Sequence, residues 1–463
     1  MNLFKVLTII LLIFIPLYPK FPLQEVGGTY VAIRIDDFVV AAAIFLWLIF
    51  QAKSRFPILK ERIFKLFALY WLVGLIVNLN SLSSFGLTSF KLAMFHWLRR
   101  VEYMSLFFVA KSAIKKRSDL KESIFAIWLT LAGVFIFGMG QKYWSWPVIS
   151  TMNEEFSKGI LLRMTKWTRI SATFAGHYDL AAWAAMILCL TPAALAFSKK
   201  WWQKLLTLSL SLCTFRLLIL TASRISFVAY LVGISTTLIL LRKYWWIFPV
   251  VVGSLFFAFQ SKELNARLTA SLKVLPKISQ KLPRQISFLK KKGVKSLKAE
   301  PTLTPTPTLV VSEKPLAPIE AAKLKKEKPK RKEKIIRTWP SPEEAEVAAA
   351  RSSNIRFKVE WPRAIRAFLK NPLLGTGYSS LGLATDNDYL RILGETGILG
   401  GLTFMLIIFH LFRNGLLAVL ARKSEWQLIS GLLGAMIAFL ANAIFIDVFE
   451  ASKTAFYFWM LMG

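Results

Sequence analysis

The segment "LTASRISF" places an arginine at a tight turn between two long apolar runs. A guanidinium at the membrane end of two helices costs free energy unless it snorkels to the interface or meets an anion. Arg224 and the hydroxyl of the preceding Ser223 suit phosphate oxygens, because an arginine fork can donate two parallel hydrogen bonds. The sequence therefore leaves two interpretations of Arg224: a phosphate ligand, or an arginine that snorkels to the interface.

The segment "TDNDY" places two acids and an amide directly before another apolar run. Asp386 could act as a general base if the membrane face buries it in part. Alternatively, Asp386 or Asp388 could be the N-cap of the helix that begins at "YLRILGETG". The residues alone leave both interpretations of the segment open.

A third polar group, "WTRISATFAGHYDLAAW", contains Arg169 and His177 just ahead of an apolar run. Both are candidate substrate-binding residues, although a histidine in the position of His177 is more often a helix-start residue than a ligand. The two other histidines and both cysteines fall in predicted spans, away from these polar groups. The sequence therefore predicts a site without a metal or another cofactor.

The apolar runs that must position these residues are typical of a membrane protein. The chain has 463 residues, 55% of them hydrophobic, with a mean hydropathy of +0.50. Many runs approach the roughly 20 residues that a helix needs to cross a bilayer. We predict an all-α, polytopic integral membrane protein with about twelve transmembrane helices, at about 4–18, 37–52, 63–79, 91–111, 123–140, 178–197, 204–221, 225–241, 244–260, 396–413, 427–446 and 453–463.

The distribution of charge predicts the orientation. The net charge of +34 would suggest nucleic acid in a soluble protein, but much of it lies at residues 261–340, which carry 21 Lys and Arg against 6 acids. Most of the remaining basic residues cluster in every second loop, as the positive-inside rule expects of cytoplasmic loops. The three polar groups then face outward from the cytoplasmic (inner) membrane, and no nucleic-acid partner is expected.

Three units follow from this arrangement. Residues 1–260 form an N-terminal membrane bundle of about nine spans, and residues 396–463 supply the C-terminal spans. Residues 261–395 form one long extracytoplasmic loop. Within it, the Pro-, Thr- and Lys-rich tract at about 285–345 has the composition of a disordered insert. The tract is either a tether or a basic arm that holds an anionic glycan or lipid headgroups.

Order should resume after the insert, at about 354–370. Apolar residues in this segment, Trp361 among them, recur at helical spacing between basic residues such as Arg356. This pattern is typical of an amphipathic helix lying on a membrane surface. We expect Pro362 to kink the helix.

These motifs, in this order, resemble those of the bacterial O-antigen ligase and polymerase superfamily of membrane glycosyltransferases. The resemblance covers residues 160–410 and runs from "RISATFAGHYDLAAW" through "LTASRISFVAY", a long outward loop and "NPLLGTGY" to "DNDYLRILGETGILGG". It implies that Arg224 and Arg356 hold a pyrophosphate and that Arg169 matches a further outward arginine. It also implies a metal-independent, inverting transfer.

One position departs from the family pattern. Ligases of the family typically have a histidine-asparagine pair where this chain has Asp386-Asn387, and that histidine is thought to activate the acceptor hydroxyl. An aspartate can serve as the same base. The difference favours a polymerase or another transferase of the superfamily.

The resemblance implies a donor glycan on undecaprenyl pyrophosphate, and an acceptor hydroxyl on a glycan, a lipid core or a protein, in contact with membrane lipids. Catalysis would rest on Asp386, Arg224 and Arg356, and substrate binding on Arg169, His177, Asn387, Ser223 and Trp361. Two alternatives stay open: a peptidoglycan glycosyltransferase of the rod-shape or division type, and a flippase for a lipid-linked glycan.

Overall fold

The computed structural model describes residues 3–25, 32–149, 161–163, 169–269, 354–382 and 384–463, so the tract predicted at 285–345 lies outside the described residues. Two antiparallel two-stranded sheets, β1 (Pro22–Glu25) with β2 (Ala32–Arg34) and β3 (Pro147–Ile149) with β4 (Leu161–Arg163), accompany the helices. The helices are α1 (Leu3–Leu17), α2 (Ile35–Lys53), α3 (Arg62–Ala113), α4 (Arg117–Trp144), α5 (His177–Phe197), α6 (Trp201–Leu220), α7 (Arg224–Leu240), α8 (Ile247–Gln260), α9 (Lys262–Thr269), α10 (Trp361–Lys370), α11 (Asp388–Leu420), α12 (Trp426–Asn442) and α13 (Ser452–Met462).

The structure confirms an all-α membrane protein but not the count of twelve spans. Within the described ranges, six helices are long and apolar enough to cross a membrane, or seven if the bent pair Tyr244–Gln260 and Lys262–Thr269 is one span. The spans predicted at 63–79 and 91–111 belong to one 52-residue helix, α3. The span predicted at 453–463 is the 11-residue α13, which at 1.5 Å per residue is far shorter than a bilayer.

Helix α5 is the centre of the bundle. Its residues from Leu180 to Cys189 are all buried, and it packs against α12, α7 and α6. Helices α7 and α12 approach closely because glycines face each other: a Cβ added at Gly233 would lie 2.6 Å from the Gly434 carbonyl oxygen. Small residues allow such backbone contact between helices in a membrane. This close contact fixes the helix whose first residue is Arg224.

Several helix ends meet at one end of this bundle. The buried Lys453 at the start of α13 donates hydrogen bonds to the carbonyl oxygens of Pro16, Tyr18 and Thr173, at 3.1, 2.5 and 2.7 Å. Pro16 and Tyr18 lie at the end of α1, and Thr173 lies in the segment before α5. A buried ammonium is stable only when such partners replace water. The contacts hold α1, α13 and the segment before α5 at the same level.

Helix α11 is broken at Gly397, which has a φ of +64° and a ψ of −165°. A Cβ there would lie 2.4 Å from the Leu373 carbonyl oxygen, so the position requires glycine. The backbone groups released by the break bond to the preceding turn, with Ile398 N donating to Pro372 O at 2.8 Å and Gly377 N to Glu395 O at 2.9 Å. The first turns of α11 and the "NPLLGTGY" turn therefore form one unit.

A wide turn precedes Pro362 in the helical segment at 354–370. Residues Arg356–Glu360 form a π-helical turn, in which Trp361 N donates to Arg356 O, and α10 continues from there. Pro362 cannot donate a backbone hydrogen bond, and the wide turn just before it accommodates the missing bond. The face turned to the protein contains Arg356, Ala364 and Ala367, which are all buried.

Candidate active site

Asp386 occupies the turn directly before α11, with its backbone in the left-handed region at φ +49°. Arg356 Nε donates to Asp386 Oδ2 at 2.8 Å, and the side chains of Arg356 and Asp386 are 7% and 32% exposed. Burial raises the pKa of Asp386, the Arg356 guanidinium lowers it and the Asp447 carboxylate raises it again. A partly open carboxylate beside a guanidinium can accept a proton from a hydroxyl.

The turn is held by Asp447, a residue that the sequence analysis missed. Its carboxylate accepts hydrogen bonds from the backbone N–H groups of Thr385, Asp386 and Asn387, at 2.8, 3.2 and 3.1 Å. Arg391 Nη1 donates to the same carboxylate at 2.9 Å. One side chain thus orders three consecutive residues of the turn. Asp447 therefore positions Asp386 through the backbone.

Replacing Asp447 should destabilise the fold. In Asp447→Asn one acceptor oxygen becomes a donor, which leaves buried backbone N–H groups and Arg391 without part of their partner. Breaking a buried ion pair costs about 3–5 kcal/mol, so the thermal melting temperature of the purified protein should fall by several degrees. The matched control is Glu122→Gln, which removes the exposed ion pair between Lys5 and Glu122. This substitution should lower the free energy of unfolding by about 0–1 kcal/mol. Melting of Asp447→Asn at the control's temperature would contradict this role.

The helix cap differs from the prediction. The N-cap of α11 is Asn387, whose side-chain oxygen accepts from Leu390 N at 2.9 Å, rather than Asp386 or Asp388. The carboxylate of Asp388 instead accepts from Phe449 N at 3.1 Å. Because the amide of Asn387 satisfies the helix end, the carboxylate of Asp386 is available to Arg356. The predicted substrate contact of Asn387 thus competes with a structural role.

Ser223 and Arg224 open α7 with different roles. The Ser223 hydroxyl is buried, caps α7 by accepting from Ser226 N at 3.4 Å and donates to Ser226 Oγ at 3.0 Å. Ser226 Oγ in turn donates to Asn442 Oδ1 at 2.7 Å, which ties the turn to α12. Arg224 Nη1 reaches the carbonyl oxygen of Arg267 at 3.2 Å. The cap holds the arginine at the start of the helix.

Arg169 and His177 are in direct contact. Arg169 Nη1 lies 2.6 Å from His177 Nε2. Since a guanidinium only donates, Nε2 is the acceptor and the proton of this imidazole lies on Nδ1. Arg169 Nε also lies 3.5 Å from Glu263 Oε1, and its guanidinium stands 6.0 Å from the ring centre of Tyr178. His177 thus orients Arg169 at the start of α5.

The structure brings the predicted arginines into one electrostatic neighbourhood. The charges of Arg356 and Arg169 both act on Arg224, and Tyr178 lies within reach of Arg169, Arg356 and Arg267. Arg267 was not predicted, because its segment was assigned to the long loop. Several guanidiniums close together favour an anion, and phosphate oxygens match their geometry. Trp361 lies nearby, with its ring centre 4.6 Å from Phe357 and 6.0 Å from Phe445.

A cavity of about 250 Å³ extends from Asp386 into the bundle. Eight charged residues, both acids and cations, line it: Lys20, Arg34, Arg99, Asp179, Asp386, Arg391, Asp447 and Glu450. Such a lining can hydrogen-bond the hydroxyls of a sugar from several sides. Among the described residues, no group of three or more His, Cys, Asp or Glu side chains could hold a metal ion.

Glu360 adds a carboxyl group beside the Arg356–Asp386 pair. Its Oε2 is buried and has no hydrogen-bond partner among the described residues. Burial raises the pKa of Glu360 to about 7, the carboxylates of Asp386 and Asp447 raise it further, and Arg356 and Arg363 oppose them. Between pH 4.5 and 7 the folded protein thus binds more protons at this residue than the unfolded chain.

The contribution of Glu360 to the free energy of unfolding should therefore fall as the pH rises from 4.5 to 7. Glu360→Gln cannot ionise, so its melting temperature relative to the wild type should be higher at pH 8 than at pH 4.5. Thermal melts of both proteins at the two pH values measure this difference. Glu122→Gln, at the exposed Lys5 pair, gives the size of an ordinary surface effect. A difference that stays constant with pH would show that Glu360 keeps its usual pKa.

Comparison with known proteins adds one match. The family model described as O-Antigen ligase matches residues 209–405. No curated protein matches the chain. The matched region begins within α6 and ends within α11, and it contains Arg224, Arg356 and Asp386. Arg169, His177 and Asp447 lie outside it.

Proposed function

Because the chain belongs to the O-antigen ligase superfamily, a family of ligase- or polymerase-type membrane glycosyltransferases, we propose that it moves a glycan from undecaprenyl pyrophosphate to an acceptor hydroxyl. The transfer takes place on the extracytoplasmic side of the cytoplasmic membrane of a bacterium. The observation that carries the proposal is the contact between Arg356 and Asp386 beside Arg224. This contact supports the proposal because a cation that can bind an anion and a carboxylate that can act as a base lie together at one end of the bundle.

In this mechanism Asp386 acts on the attacking hydroxyl, and the arginines act on the leaving pyrophosphate. Asp386 takes the proton of the acceptor hydroxyl, whose oxygen attacks the anomeric carbon of the donor sugar. The bond from that carbon to the pyrophosphate oxygen breaks, and the configuration inverts. Arg224 and Arg356 stabilise the charge on the departing undecaprenyl pyrophosphate, as cationic groups do in other phosphate-handling sites. No metal ion is required in this scheme.

Arg169 and Trp361 complete the proposed site. Arg169, held by His177, lies on the same side as Arg224 and adds positive charge to the donor region. Trp361 offers an aromatic face next to Arg356, and its buried indole Nε1 has no hydrogen-bond partner among the described residues. An aromatic face with a polar tip suits the apolar side of a sugar ring. The polar cavity beside Asp386 would receive the acceptor.

The test uses lipid-linked glycans extracted from a strain from which this protein has been deleted, where its donor should accumulate. The purified protein in nanodiscs is mixed with this fraction, and product masses are followed with and without added acceptor. A ladder of products from the donor alone identifies a polymerase, and a single step that needs the acceptor identifies a ligase. Neither product, with the donor intact, would overturn the proposed function.

A further inference from the structure

A second charged cluster lies on the short helix α9, which turns away from α8 by 103°. Its Glu263 carboxylate stands between two guanidiniums. The same oxygen, Oε1, is 3.5 Å from Arg169 Nε and 3.8 Å from Arg267 Nε, and the Glu263 side chain is 13% exposed. A single acid therefore stands between arginines from two separate elements.

The contacts between the Glu263 carboxylate and the two guanidiniums are long. Charge-assisted hydrogen bonds between nitrogen and oxygen are about 2.7–2.9 Å long, and both distances to Glu263 exceed that range. Arg224 joins the cluster through the Arg267 carbonyl oxygen. Two guanidiniums thus face one carboxylate, and a third, that of Arg224 at the start of α7, contacts the backbone of Arg267. A phosphate, with more oxygens and more charge than a carboxylate, matches such a cluster better.

A cavity of about 620 Å³ opens next to Glu263. Cations line it at Lys142, Arg216 and Lys262, while Phe215 and Phe257 supply apolar walls. Apolar walls together with cations fit a lipid chain that carries an anionic headgroup. The cavity lies between α6 and α8, two of the apolar helices, and it adjoins the arginine cluster through Glu263.

We propose that Glu263 occupies, in the donor-free protein, the position that a phosphate of the lipid donor takes on binding, and that Arg267 is a further ligand of that phosphate. The lipid chain nearest the phosphate lies in the cavity beyond Glu263. This inference rests on the proposed function, because it deepens the donor site of that reaction. Binding replaces the Glu263 carboxylate between Arg169 and Arg267 without any covalent step.

Two substitutions then have opposite effects on binding. Glu263→Gln keeps the size of the side chain and removes the competing negative charge, so the donor headgroup should bind a few-fold more tightly. Arg267→Gln removes a charged ligand, and since a hydrogen bond to a charged group contributes roughly 1.5–3 kcal/mol, binding should weaken about tenfold or more. Arg366→Gln, on the exposed face of α10, is the control and should stay within about twofold of the wild type.

The measurement is thermal stabilisation of the full chain, in nanodiscs of neutral lipid, as undecaprenyl pyrophosphate is added. Inorganic pyrophosphate and phosphatidylglycerol serve as parallel probes. The proposal expects undecaprenyl pyrophosphate to act at the lowest concentration, with the two variants shifted in opposite directions. Arg267→Lys should retain part of the affinity, which separates loss of charge from loss of folding.

The outcomes distinguish this inference from the proposed function. If the wild type binds undecaprenyl pyrophosphate but both variants match it, Glu263 and Arg267 are not donor ligands, and the proposed function stands. Equal binding of phosphatidylglycerol would identify a general lipid site and overturn the assignment to the donor. If the wild type binds no pyrophosphate compound at all, both this inference and the proposed donor are wrong.

Discussion

Asp386→Asn is expected to lower the rate of glycan transfer by about 10²–10⁴-fold, the usual contribution of a general base. The amide has the same shape and can still contact Arg356, but it cannot accept the proton of the acceptor hydroxyl. The left-handed backbone at residue 386 is also well tolerated by asparagine. The fold and donor binding should therefore be retained, which confines the loss to the chemical step.

The rate is measured as product mass against time, with donor binding followed in parallel by thermal stabilisation. Asp386→Glu is the companion variant: it keeps the carboxylate but moves it by one methylene, so partial activity is expected. In the wild type, transfer should rise with pH as Asp386 ionises, because the base must be deprotonated, and burial places its pKa above the ordinary value. Full transfer by Asp386→Asn would rule out the aspartate as the base.

Arg356→Ala is expected to reduce transfer by about 10²–10³-fold, as the loss of one charge-stabilising donor does in other active sites. The buried guanidinium bonds Asp386 and, in the proposed mechanism, also holds the leaving pyrophosphate. Its removal leaves Asp386 and the leaving pyrophosphate without this cation. Arg356→Lys keeps the charge but loses the fork geometry. Its transfer rate should therefore lie between that of the wild type and that of Arg356→Ala.

Kinetic constants for the single variants and for Arg356→Ala with Asp386→Asn test whether the two residues act as a unit. Groups that act together are strongly non-additive, so the double variant should be little slower than the slower single variant. Arg366→Ala, on the exposed face of α10 just beyond this turn, is the control and should transfer at the wild-type rate. Strict multiplication of the two single effects would show that the pair does not act together.

The sequence predicted the parts of the site that depend on local patterns. Apolar runs predicted a helical membrane protein, and the polar cluster at "TDNDY" correctly indicated a helix start. The assignment of the cap to an aspartate was wrong, because Asp, Asn and Ser are nearly equal as caps. Only the contacts of each side chain decide which of Asp386, Asn387 and Asp388 takes that role.

Long-range contacts explain what the sequence missed. Asp447 follows an apolar run and looks like the end of a span, and nothing local indicates that it binds residues 385–387, about sixty positions away. Glu263 and Arg267 lie in a basic stretch where one acid and one arginine do not stand out. Their position between Arg169 and Arg224 results from the bend between α8 and α9, which no local pattern predicted.

The break at Gly397 has a consequence for membranes of different thickness. The "NPLLGTGY" turn is bonded to α11 on both sides of the break, since Gly377 N donates to Glu395 O before it and Ile398 N donates to Pro372 O after it. A tilt of the apolar span to match a thicker or thinner bilayer is therefore passed to this turn rather than absorbed at the glycine. We expect the thickness of the bilayer to reach the candidate site through these hydrogen bonds.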